Sequence, residues 1–150
     1  MGVVADTHGL VRPELLELFR DVSLILHAGD IGKPGVLEIL QDMAPVISVR
    51  GNADKGAWAE TLPLFEVIDA AGHLLYLIHD SKTLDLDPCA AGMLAVITGH
   101  SHLPGTSRKD GVLYLNPGSA GPKRFKLPVT AALLRIEPSG EIAAELRSLL

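Results

Sequence analysis

Short apolar runs in this chain end, one after another, at polar turns that carry metal-binding side chains: Asp6 and His8, Asp30, Asn52, His79, then His100 and His102. No other feature constrains the fold as much. Oxygen and imidazole donors delivered one or two at a time by successive strand ends suit a pair of divalent cations, whereas a packed core has no use for them. The pattern therefore calls for strands whose carboxyl ends meet at one place.

The first third of the chain reads as β-α-β-α-β. Gly2 to Ala5 forms a short strand ending in the turn Asp6-Thr7-His8-Gly9, and it is short enough to suggest a residue or two missing before Gly2. Pro13 opens a helix, a position where its missing N–H is no loss, with Leu15, Leu16, Leu18 and Phe19 as the apolar face. Leu24 to Leu26 is the next strand, running toward Gly29-Asp30. A second helix opens near Pro34 with Val36, Leu37, Leu40 and Met43 on one side, and Pro45 to Val49 is the third strand. Continuous apolar strands alternating with amphipathic helices imply parallel strands covered on both faces. In open α/β sheets ligands gather at the carboxyl ends of such strands.

The second half looks more antiparallel. Phe65–Ile68 and Leu74–Ile78 flank the Gly72 turn, Leu94–Ile97 is a further buried strand, and Asp110-Gly111 and Ser139-Gly140 are hairpin signals. The fold class that results is α/β (α+β): two packed mixed β-sheets, a β-sandwich with helices outside, in a single domain spanning 1–150. At 150 residues with 47% apolar composition, the chain can bury one sizeable core.

The formal charge of −5 is spread along the chain, with no basic stripe of the kind that binds nucleic acid. Cys89 is the only cysteine, which excludes an internal disulfide, suits a reducing compartment and reads as a small apolar residue. No apolar stretch reaches the length of a membrane span, and Asp6 and His8 come too early for a signal peptide. A cytoplasmic protein is expected, and a homo-oligomer is compatible with the sequence.

The donor set lacks thiolate and suits Mn, Fe, Zn, Co or Ni better than a structural zinc site. Asp30 is the candidate shared ligand, because a carboxylate has two oxygens and can span two ions. Such a cluster keeps a small positive charge, attracts a phosphate ester, and can lower the pKa of bound water to about 7. Taken singly, each residue has a plainer explanation: Asp6 a helix cap, Asp30 a turn residue, each histidine a core residue. Those explanations leave the equivalent strand-end positions of His8 and Asn52 unaccounted for.

The ordered set Asp6-Thr7-His8, Gly29-Asp30, Gly51-Asn52, His79 and Gly99-His100-Ser101-His102 resembles the pattern of the calcineurin-like metallophosphoesterases. Asn116-Pro117-Gly118-Ser119 is similar to a stretch in the small bacterial and archaeal phosphodiesterases of that superfamily. The resemblance runs from about Val3 to Ser119. It implies a β-sandwich flanked by helices, with one metal held by Asp6, His8, Asp30 and His102 and a second by Asp30, Asn52, His79 and His100. It also implies a phosphodiesterase in which a metal-bridging hydroxide attacks a small-molecule phosphoester. Manganese is the foremost metal, and nucleic acid enters only as a substrate.

Two departures stand out. Ala53 follows Asn52 where many relatives carry a histidine able to protonate the leaving group, which leaves a metal-ordered water as the candidate acid. Asp80-Ser81 follows His79 where Gly-His is usual, adding negative charge beside the second metal. Asn52 and Arg50 are the candidate substrate contacts, and Arg50 fits a structural ion pair equally well. His27 reads as a packed or ligand-orienting histidine, His73 as solvated, and Asn116–Ser119 as a tight turn near the site. The alternative function is a protein-binding scaffold on the same fold, like the retromer subunit that resembles this family but has lost several metal-site histidines.

Overall fold

The computed structural model describes residues 1–150. In chain order the elements are β1 (Gly2–Val4), α1 (Pro13–Leu18), β2 (Ile25–His27), α2 (Pro34–Gln41), β3 (Val46–Ser48), α3 (Ala57–Glu60), β4 (Phe65–Ala70), β5 (His73–Ile78) and a 3-10 turn at Ser81–Thr83. They continue with β6 (Met93–Ile97), β7 (Gly105–Lys109), β8 (Val112–Asn116), β9 (Thr130–Ile136) and β10 (Ile142–Ser148).

Two mixed sheets result, ordered β10-β9-β1-β2-β3 and β4-β5-β6-β8-β7. In the first, β1, β2 and β3 run parallel with aligned ends: Val4 lies beside His27, and His27 beside Ser48. Alignment of the ends brings the turns that follow these strands out at one level. α1 and α2 make the crossovers, each started by a proline in its first turn.

The second sheet differs from the antiparallel expectation. Its hairpins β4–β5 and β7–β8 are antiparallel as the turn residues imply, but β5, β6 and β8 are parallel neighbours. Turn chemistry specifies the hairpins locally. The long connection 79–92 instead returns the chain to the same end of the sheet before β6, as a parallel pair requires. His79 and His100 therefore emerge from the same edge.

The main core lies between the sheets, where Val3, Ala5, Leu26 and Ala28 of the first meet Leu75, Leu77, Ala95 and Ile97 of the second. A second cluster packs Leu15, Phe19, Val36 and Leu40 against Val4 and Ile25, with Trp58 and Leu62 at its margin. All three helices thus cover the first sheet. The outer face of the second, around Tyr76, Ile78 and Val96, is covered by Leu84 and Leu86 of an irregular segment. Cys89 is exposed, in the turn that precedes β6. No helix is long and apolar enough to cross a membrane.

Candidate metal centre

The strand ends carry the candidate donors to one place. Asp6 and His8 follow β1, Asp30 follows β2, Asn52 follows β3, His79 is the first residue after β5, and His100 and His102 follow β6. Asp6, Asp30, His79 and His102 are buried, His8 is half-buried, and Asn52 and His100 form the exposed rim. Donor atoms of Asp6, His8 and His102 lie within 4.8 Å of one another, as do those of Asp6, Asp30 and His79.

His8 Nε2 lies 3.4 Å from His102 Nε2, and His102 Nε2 is 3.6 Å from Asp6 Oδ1. On the other side, Asn52 Oδ1 is 2.9 Å from His79 Nε2 and 3.0 Å from His100 Nδ1. Asp30 stands between. Its Oδ2 is 3.8 Å from His8 Nε2 and 3.4 Å from His79 Nε2. Its Oδ1 is already engaged by the Ala53 amide, which donates at 2.8 Å. A single oxygen, Oδ2, therefore faces both groups.

These turns are held in costly backbone conformations. Asp6, His8, Asp30, His100 and His102 have φ of 55°, 47°, 56°, 70° and 61°, the left-handed region. Non-glycine residues there cost on the order of 1–3 kcal/mol each and persist only where their surroundings fix them. The glycines of the motif serve close approach. A Cβ at Gly51 would stand 2.1 Å from Asp30 Oδ1, and one at Gly29 (φ 99°) would stand 2.7 Å from His79 Nδ1.

Bracing comes from residues outside the donor set. The Gly29 amide donates to His27 Nδ1 at 3.1 Å, which leaves Nε2 to donate to Thr7 Oγ1 at 3.0 Å. Thr7 Oγ1 then donates to the Ile31 carbonyl at 2.9 Å. This chain ties the Asp6–His8 turn to the Asp30 turn, so His27 is a packed histidine that orients ligand-bearing backbone. Asp54, also buried, accepts from the amides of Gly32 and Gly51 at 2.9 and 2.8 Å. Asn116 donates to the Gly99 carbonyl, and Ser119 donates to the Asp6 carbonyl. The Asn116–Ser119 stretch is thus a turn that supports the site.

The electrostatics fit cations. Asp6 Oδ1 is buried with no hydrogen-bond partner, while Oδ2 accepts from the His100 amide at 3.1 Å. Burial, reinforced by the Asp30 charge, pushes the Asp6 carboxyl up to about 7. Asp30 is buried too, but hydrogen bonds from His79 and Ala53 outweigh the desolvation and hold it at about 2. Burial lowers His8 and His102, whose ring nitrogens are thus kept neutral and able to donate lone pairs. Desolvation works against a charged His79, yet the Asp30 carboxylate raises it. The His79 Nδ1–H donates to the Ala28 carbonyl at 2.8 Å, which directs Nε2 toward Asn52 Oδ1. The proton that Nε2 carries in the charged ring faces Asn52 Oδ1 and Asp30 Oδ2, where a cation would take its place.

Arg50 makes no ion pair. It lines a cavity together with Asn52 and His79. Asp80 Oδ2 lies 3.7 Å behind His100 Nε2, while its Oδ1 caps the 3-10 turn through the Lys82 amide. His73 lies at the surface with Nε2 3.1 Å from the Pro138 carbonyl. Sequence reasoning missed Asp54 and Arg124. The only signal for Asp54 was a carboxylate three residues after Gly51. Arg124, whose charge acts on Asp6, His8 and His102, belongs to the basic run Lys123–Lys126.

A two-sheet sandwich with aspartate, asparagine and histidine donors gathered at one edge is the architecture of a metallophosphoesterase. The chain belongs to the calcineurin-like phosphoesterase superfamily, whose domain matches residues 1–139. A probable metallophosphoesterase of Methanothermobacter thermautotrophicus is 36% identical over 149 residues, covering 91% of this chain and 86% of that protein. Among solved structures, a novel archaeal phosphodiesterase aligns with a TM-score of 0.79 at 22% identity, over 97% of this chain and 98% of its own. Wild-type Vps29 of Entamoeba histolytica, complexed with zinc, aligns with a TM-score of 0.75 at 24% identity, over 99% and 98%. At those identities the two structures speak to the fold alone. The family uses divalent metals, and the donor groups described above are suited to them.

Proposed function

We propose that this protein is a phosphodiesterase with a dinuclear metal site. Asp6, His8, Asp30 and His102 would hold one ion, and Asp30, Asn52, His79 and His100 would hold the other. The observation that carries this reading is Asp30 Oδ2, which stands between two separate donor groups. Asp6 lies within reach of both groups, but its unpartnered Oδ1 faces His102 and favours the first. When bound, two divalent ions supply Lewis acidity toward the ester and lower the pKa of coordinated water.

The chain's own residues do the rest. The turns preorganise the donors, so no backbone need reorganise during turnover. Arg50 and Asn52 at the second group contact the ester, the guanidinium being suited to phosphate oxygens. Arg124 adds positive charge at the first. Ala53 offers no proton to the leaving group, so that proton comes from water. A cluster with a small positive charge favours a singly charged diester over a monoester bearing nearly two charges. Manganese suits this oxygen and imidazole set, and Fe, Zn, Co or Ni are compatible with it.

The scaffold reading draws on the Vps29 neighbours, one of them complexed with zinc, so turnover and not bound metal alone decides between the two. One experiment separates the two. Metal content of the purified protein is measured, then turnover of bis(p-nitrophenyl) phosphate with and without added Mn²⁺. Bound transition metal and Mn²⁺-dependent turnover are expected. Absence of turnover, with or without bound metal, would transfer the argument to the scaffold.

A further inference from the structure

A cavity of about 370 Å³ opens beside the second donor group, with Asn52 and His79 in its wall. Its volume falls within the range of small-ligand sites, roughly 300–1,000 Å³. Of its wall, the site as described above uses Arg50, Asn52 and His79. The remaining lining is unusual for a phosphate site, since it joins the aromatic rings of Phe65 and Tyr76 with Asp80, Thr83 and Asp85.

Phe65 stacks on Tyr76 with ring centroids 5.5 Å apart and planes at 16°. Tyr76 is only 2% exposed whereas Phe65 is 53% exposed, so Phe65 rests on a fixed ring and keeps its other surface open. A rigid, half-open aromatic face at the edge strand β4 offers a stacking platform for a flat group. The two carboxylates and the Thr83 hydroxyl can accept hydrogen bonds from amino or hydroxyl groups, and the carboxylates repel any second anion. Arg50 is the one cation in the lining, two residues before Asn52 in the chain.

We propose that this cavity is a nucleoside subsite, so that the ester hydrolysed is a nucleotide-like phosphodiester. Its base stacks on Phe65, its amino or ribose hydroxyl groups face Asp80 and Asp85, and its phosphate lies toward Asn52 and His79. The proposal rests on the phosphodiesterase reading above for its chemistry but not for its binding. A cationic choline head-group would also favour aromatics and carboxylates, but it is opposed by Arg50 and finds one open aromatic face in place of the several that an aromatic cage presents. An acyl chain has no use for the carboxylates.

The test compares ligands that share a phosphate. Binding of adenosine 5′-monophosphate, ribose 5-phosphate and phosphocholine to the Mn²⁺-loaded protein is measured by calorimetry, for the wild type, Phe65→Ala and Phe65→Trp. Adenosine monophosphate is expected to bind about tenfold more tightly than ribose 5-phosphate, in the lower range of base–aromatic stacking. Phe65→Ala is expected to erase that preference, and Phe65→Trp to keep it. Equal binding of the first two ligands, a preference unchanged in Phe65→Ala, or tightest binding of phosphocholine overturns the subsite. Hydrolysis of methyl p-nitrophenyl phosphate, which carries no nucleoside, is followed in the same samples. Absence of the preference in the wild type with that hydrolysis intact removes the subsite and spares the phosphodiesterase. An intact preference with no hydrolysis supports the subsite and removes the phosphodiesterase.

Discussion

At the scale of single residues, Asp30 is the sharpest point of attack. Its Oδ1 is occupied by the Ala53 amide and its Oδ2 alone faces both donor groups. Asp30→Asn can keep the first contact through the amide oxygen while removing the charge that both ions would share. Turnover of an aryl phosphodiester is expected to fall at least about a hundredfold, a loss of several kcal/mol of transition-state stabilisation. The circular dichroism spectrum should not change, and undiminished turnover would refute the shared-ligand role. Asp6 makes a different prediction. Its carboxyl sits at about 7 in the metal-free fold against an ordinary 3.8. The folded state therefore holds this proton more tightly than the unfolded chain, and the site's contribution to stability declines as pH rises from 3.8 to 7. A metal ion must displace that proton. Calorimetry of Mn²⁺ uptake in buffers of different ionisation enthalpy should show proton release at pH 6 that diminishes above pH 7. The identities of these residues were legible in the sequence because each stands in a short turn after an apolar run. Which oxygen of Asp30 does what was not, since that depends on the Ala53 amide and on a close approach to Gly51 that only the folded turns create.

At the scale of elements, the three-residue strands β1, β2 and β3 are too short to fix long turns by themselves, and a polar brace ties two of those turns together. His27 is its centre. Burial holds the ring neutral with a pKa of about 3, against an ordinary 6.5. The unfolded chain therefore binds the additional proton between those values. Stability from this group is complete above pH 6.5 and is lost on acidification toward pH 3, at about 1.4 kcal/mol per pH unit. His27→Gln retains a donor and an acceptor but cannot titrate. Denaturant unfolding of both proteins at pH 7.5 and pH 5 should show the wild type losing roughly 2 kcal/mol more than the variant on acidification. Equal losses would mean that the imidazole is not held neutral. Helix starts at Pro13 and Pro34 and the hairpins at Asp110-Gly111 and Ser139-Gly140 were readable because their signals are local. The parallel neighbours β5, β6 and β8 were not, because nothing within the segment 79–92 records where its far end will pair.

At the scale of the whole molecule, scaffold and site are separable. The three apolar clusters lie between the sheets, beneath the helices and on the outer face of the second sheet, and the candidate donors stand beyond the strand ends that those clusters hold. The strained turns and the unpartnered Asp6 oxygen are all at one edge, where a bound cation relieves charge and acceptor crowding without touching the core. Metal should therefore raise the stability of a fold that already exists. A cation in hundredfold excess over its dissociation constant contributes about 2.7 kcal/mol by mass action. For a chain of this size that corresponds to a rise in Tm of roughly 5–10 °C. Chelation should abolish hydrolysis and lower the Tm by that amount, while strand and helix signals at 25 °C persist and activity returns with Mn²⁺. Collapse of secondary structure on chelation would show that the metal organises the sandwich itself, and the separation drawn from the three clusters would then be wrong.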